Sequence, residues 1–189
     1  YYDRKGLPLR RLQAFYYHGR VYANAGLNHE AMTAYTRAEE FVNKVAAPYP
    51  VGLLYAQMGV LYGNDYDYPQ ALEYIENALI HYEKSGKERL QYIAKRNIGQ
   101  CYLNMLQFPQ AEPLLKEVLE WGEAHNDSYI ISSALDLLLC LYDATANAEA
   151  LDSLIMRYPI DVLPQNAATY GIIAHYYALR EDKAVAEDA

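Results

Sequence analysis

At 189 residues the chain is long enough for one domain or a short array of smaller units, and its 52% hydrophobic content excludes disorder as the default state. A formal charge of −8 with no Lys/Arg cluster argues against a nucleic-acid partner and against an anionic membrane surface for this segment. No apolar run approaches the roughly 20 residues of a membrane span, and the N-terminus lacks a signal-peptide pattern.

Tyrosine dominates the aromatic residues, with 21 Tyr against three Phe and one Trp. A Tyr ring buries a large apolar area while its hydroxyl needs a partner, so such a chain has many half-buried positions, as thin stacked layers provide. In chain order, "YYDRKG" aligns with "HYEKSG" when shifted by 80, which predicts that residues 1–8 are the tail of a preceding helix. Gly19, Tyr22 and Ala31 then return as Gly59, Tyr62 and Ala71, and again as Gly99, Tyr102 and Ala111, at a constant interval of 40 residues. Each copy reads as two helices. In the third, Leu90, Ala94, Ile98, Cys101 and Tyr102 make one stripe, and Ala111, Leu114, Leu115, Val118 and Leu119 make the next. Pro69 and Pro109 stand at the start of the second helix, where a missing N–H costs least. The glycines are costly in mid-helix, about 1 kcal/mol each relative to Ala, and their recurrence predicts close packing of the first helix against the Ala of the second.

Three regular pairs are therefore expected over residues 9–127, at about 9–48, 49–87 and 88–127. Residues 128–163 form a degenerate fourth pair with Leu139 in the glycine place, and residues 164–189 begin a fifth pair that stops within its second helix. The array reads as cut at both ends. Strand signals are absent, so the fold class is all-α.

The register of a large aromatic, Gly, Tyr, Ala, aromatic and Ala resembles the tetratricopeptide repeat family. Phe15, Gly19, Tyr22, Ala31, Tyr35 and Ala38 carry it in the first copy, and Tyr55, Gly59, Tyr62, Ala71, Ile75 and Ala78 in the second. The third copy has Gly99, Tyr102, Ala111, Leu115 and Val118, with Lys95 in the aromatic place. The resemblance implies a right-handed α-solenoid of stacked antiparallel helix pairs. Two departures stand out. The family's period is about 34 residues, and its terminal Pro is replaced here by Asn43, Glu83 and Glu123. Longer helices or longer links would absorb the extra length.

The resemblance also implies a concave groove lined by the first helix of each pair, where the family binds peptide or protein segments. The groove positions, counted from the glycine, include Tyr16, Arg20 and Asn24 in the first copy, Asn64 in the second, and Arg96, Gln100 and Asn104 in the third. Asn24, Asn64 and Asn104 form a ladder that either holds an extended peptide backbone or ends three helices, a position Asn suits. Arg20 and Arg96 are the cations suited to gripping a carboxylate.

No pattern calls for catalysis, a metal or a cofactor: the five histidines have no ligand spacing, and neither a phosphate loop nor a nucleophile elbow is present. Cys101 and Cys140 read as small core residues. The leading expectation is a non-enzymatic scaffold for a protein or peptide ligand, with self-association through the array ends as a further route. Its texture resembles bacterial envelope proteins in which such an array is the sensory portion of a regulator. Two alternatives stay open: a cytoplasmic regulator that clasps a signalling protein or peptide pheromone, and a helical accessory domain of an enzyme.

Overall fold

The computed structural model describes residues 6–159 and 162–187, so most of the expected helix tail at the N-terminus lies outside the described residues. The described residues form α1 (Leu7–Asn24), α2 (Asn28–Glu39), α3 (Pro48–Asn64), α4 (Tyr68–Lys84), α5 (Glu88–Asn104), α6 (Phe108–Ala124), α7 (Ser128–Ala144), α8 (Ala148–Arg157) and α9 (Ala167–Glu187), with no strand among them. Leu7 and Pro8 open α1 and do not close an earlier helix. Two compact units divide the chain, Tyr1–Cys101 and Tyr102–Ala189. In the first, α1 packs on α2, α2 on α3 and α3 on α4; in the second, α7 packs on α6, α8 and α9. The fold is all-α and solenoid-like, with helices packing on their neighbours in sequence.

The 40-residue period is two half-periods of 20. Helices α3 to α7 are each 17 residues long and follow one another after three-residue turns. The extra length therefore lies in the helices and not in the links. Each turn closes in the same way. The N–H of Leu27, Asp67, Lys87, Gln107, Asp127 and Asn147 donates to the carbonyl five residues earlier, on Tyr22, Tyr62, Tyr82, Tyr102, Gly122 and Tyr142, at 2.8–3.0 Å. This bond satisfies a carbonyl that the helix end would otherwise leave without a partner.

The bond requires the residue before the donor to take left-handed backbone. Gly26 and Gly86 do so at φ 76° and 63°, where glycine meets no steric penalty. Tyr66, Leu106, Asn126 and Ala146 do so at φ 51–63°, where a side chain carries a penalty of about 1–2 kcal/mol. In three of these turns the next helix is also capped by a side chain: Asp67, Asp127 and Asn147 accept from the N–H three residues on.

Two places break the rhythm, and proline explains both. After α2 the chain makes a single 3-10 turn, Val42–Lys44, and Ala47 is extended at φ −80°, ψ 113° because Pro48 follows. Tyr158 is extended at φ −113°, ψ 119° before Pro159, which ends α8 after 10 residues. Residues 167–187 form one helix, where the sequence reading places a break and the start of a second. No Gly or Asn occurs from Ala178 to Glu187 to supply a turn.

The glycine places are notches, and their occupants differ from expectation. A Cβ on Gly19 would lie 2.3 Å from Cε1 of Tyr35, and one on Gly59 would lie 2.5 Å from Cγ1 of Ile75. The residue in the aromatic place of the second helix thus fills the space above the glycine. The repeating Ala is fully buried beside it, and the Ala71 carbonyl oxygen would be 3.1 Å from the Gly59 Cβ.

Because Ile75 Cγ1 lies near the backbone and is held in a packed core, Gly59→Ala should lower stability despite its better helix propensity. Overpacking of about 1–3 kcal/mol outweighs a propensity gain of about 1 kcal/mol. Thermal unfolding checks this: a drop of several degrees is expected, and an unchanged or raised Tm contradicts the notch.

Candidate functional site

The seven positions singled out on the first helices have distinct environments. Tyr16 is buried in the core of the first unit beside Leu12, Tyr35 and Leu54. Arg20, one turn on, is exposed, and its guanidinium lies 6.0 Å from the centre of the Tyr16 ring. Among the described residues Arg20 has no carboxylate within ion-pair distance. Arg96 differs: its Nη1 donates to Gln100 Oε1 at 2.7 Å and to Asn97 Oδ1 at 3.0 Å. Two of the predicted residues, Arg96 and Gln100, are thus joined to each other one turn apart on α5. Asn24, Asn64 and Asn104 are each the last residue of their helix, α1, α3 and α5, and all three are exposed.

The signature residues are structural. Ala31, Ala71 and Ala111 are fully buried, and Gly19, Gly59 and Gly99 are buried as well. Tyr22, Tyr62 and Tyr102 supply the carbonyls that close their turns. Tyr62 also stacks on Tyr74 at 5.3 Å, and Tyr74 packs on Tyr55 at 5.8 Å. Glu39 faces this group, and burial raises its carboxyl while a hydrogen bond from Tyr74 opposes the rise. Both cysteines are free thiols. Burial, and then Glu76, push the Cys101 thiol up to about 11, so it stays protonated and unreactive at neutral pH.

A tyrosine group around Tyr16 was not visible in the repeat pattern. Tyr35 reaches Tyr16 across the Gly19 notch, with ring centres 6.2 Å apart. Tyr82 of α4 lies over a second notch, where a Cβ on Gly52 would be 2.9 Å from its ring. The hydroxyls of Tyr16 and Tyr49 are electrostatic neighbours of Tyr82, and those of Tyr35 are Tyr16 and Arg20. Lys87 lies 5.2 Å from the centre of the Tyr49 ring. Tyr35 Oη is buried and has no hydrogen-bond partner among the described residues. The signal for this group lies in Gly52, a glycine outside the 40-residue register that marks a second close approach on α3.

In the second unit a cavity of about 400 Å³ is lined by Tyr142, Asp143, Glu149, Asp152, His175 and Tyr176 among others. Arg180 pairs with Asp152 at 3.0 Å, and His175 Nδ1 lies 3.6 Å from Asp143. These side chains come from three helices with no spacing that sequence reading could detect. Charge also divides between the units. Residues 1–101 hold twelve Lys and Arg against ten Asp and Glu, whereas residues 102–189 hold four against fourteen. Among the described residues no cluster of His, Cys, Asp and Glu could hold a metal ion. No described helix is long and apolar enough to cross a membrane.

No protein-family model matches this chain, and no curated protein matches it either.

Burial raises the hydroxyls of Tyr35 and Tyr74 from the ordinary value to about 12. A raised folded-state pKa contributes stability that is complete below the unfolded value of about 10 and is lost as pH climbs to about 12. Tyrosinate absorbance and helical circular dichroism should therefore be followed together from pH 9 to 13. A late phase of ionisation above about pH 11, coincident with loss of helix, is expected. Ionisation of every tyrosine near pH 10 with the helices intact contradicts the burial of these hydroxyls.

Proposed function

We propose that this chain is a non-enzymatic scaffold of the tetratricopeptide type that binds a protein or peptide segment along the first helices of its pairs. The reading is supported by the all-α, sequentially packed helices and by the Gly, Tyr and Ala register within them. The observation that carries it is the unpaired cation on α1. Arg20 stands exposed above an aromatic residue, without a carboxylate partner among the described residues, in a chain of net charge −8.

A folded acidic chain has many carboxylates to offer a surface arginine. One left without any is available to a ligand group of opposite charge. Around it the first helices of the first unit present half-buried Gln13, Ala23, Leu53 and Ala56, with exposed Val60, Asn24 and Asn64. Such a strip combines apolar contact with amide groups able to pair with a peptide backbone. Arg96, held by Gln100 and Asn97, serves to shape this face and is the weaker grip of the two cations. A position as the sensory portion of a larger bacterial regulator fits a binding array of this kind.

The test is capture from extracts of the source cell on immobilised chain, with Arg20→Glu and Arg96→Glu as parallel baits. A partner held by the unaltered chain and by Arg96→Glu but lost with Arg20→Glu supports the reading. Identical recovery on all three baits contradicts it.

A further inference from the structure

The tyrosine group in the first unit is a row of hydroxyl donors with cations at its rim and no acid among its electrostatic neighbours. Tyr16, Tyr35 and Tyr82 are all buried, at 5%, 0% and 3% exposure, so their hydroxyls form a floor. The groups that act on these hydroxyls are one another, Tyr17, Tyr49 and Arg20. Arg20 stands over Tyr16 and Lys87 over Tyr49, so a cation flanks each side of the row.

Neutral hydroxyls in an apolar setting donate well but stabilise no positive charge without a carboxylate nearby. Donors on the floor and cations on the rim suit an oxyanion, as they do wherever charge-assisted hydrogen bonds converge. One hydroxyl is already in deficit. Tyr35 Oη has lost its water to burial and gained no protein partner among the described residues, a costly arrangement for a group that packing alone could have filled with Phe. Its ring lies flat in the Gly19 notch, which carries the hydroxyl through from α2 to the side of α1 where Tyr16 and Arg20 stand.

We propose that Arg20, Lys87 and the hydroxyls of Tyr16, Tyr35 and Tyr82 form a recognition site for a carboxylate group of a peptide ligand. The inference rests on the scaffold reading above and adds the chemical class of group that anchors the ligand. It also brings in residues of the second helices, which reach this face only through glycine notches.

The test uses the full chain and four small probes followed by amide and guanidinium NMR shifts: acetyl-trialanine with a free C-terminal carboxylate, the same peptide as its amide, capped tetraglutamate and capped tetraglutamine. The free-acid probe or tetraglutamate should bind, shifting Arg20 Nε and Lys87, while the amide and tetraglutamine should not. Which of the two acids binds tells a chain terminus from an acidic side chain. Tyr35→Phe should weaken that binding about tenfold, the loss of one hydrogen bond to a charged group. It should leave Tm equal or higher, because the hydroxyl it removes has no partner in the folded chain.

Equal binding of acid and neutral probes, or no binding of either acid at millimolar concentration, overturns the site. A Tyr35→Phe variant that binds acids undiminished but melts lower also overturns it, since the hydroxyl is then structural. Failure here with Arg20-dependent partner capture intact leaves the scaffold reading standing. Carboxylate binding without any Arg20-dependent partner gives the reverse.

Discussion

A helix can be followed at once by a second, antiparallel helix only if its last carbonyls find donors within a very short turn. In this chain one hydrogen bond does that work at six places, joining a donor just past a left-handed residue to the carbonyl five positions back. With the turn held at three residues and the helices at 17, successive helices begin every 20 residues, and their inner faces keep the same register. The glycine notches, the buried Ala rows and the tyrosines that cross between helices all presuppose that register. Where proline forces extended backbone, after α2 and after α8, the register is interrupted.

This constraint explains why Tyr recurs where it does. Tyr22, Tyr62, Tyr82, Tyr102 and Tyr142 each stand where the turn-closing carbonyl is supplied, four to five residues before the chain reverses. A large half-buried ring there covers the turn, and its hydroxyl still reaches solvent or a partner, as Tyr142 does with Glu112 at 3.2 Å. The strained turns are the counterpart. Leu106 and Tyr66 combine left-handed backbone with exposures of 71% and 79%, so neither the turn nor the core explains those side chains.

The helical periods and the 40-residue repeat were legible because apolar spacing and mid-helix glycines leave direct marks in sequence. The division into half-periods was hidden, since four of the six left-handed positions are held by Tyr, Leu, Asn and Ala, which do not announce a turn. The glycine was rightly read as a close approach, but its partner was misplaced: Tyr35 and Ile75 fill the notch, because the second helix crosses one turn beyond its Ala. Asn24, Asn64 and Asn104 sit at three helix ends, a placement that either of their two readings permits. The hydroxyl floor under Arg20 escaped sequence reading for a physical reason. Tyr35 and Tyr82 lie on second helices, and only the notches at Gly19 and Gly52 bring them to the face of the first.

The central claim is that one recurring turn bond sets the register of the whole array. Amide hydrogen exchange, resolved residue by residue, tests it most directly at Leu27, Asp67, Lys87, Gln107, Asp127 and Asn147. Each lies in a solvent-facing turn, where an amide without a partner exchanges freely. The account predicts six protected amides at these positions, beside fast exchange at the free N–H groups that open the following helices. Fast exchange at all six, with the helix interiors protected, would show that the helices form without this bond and that the register has another origin.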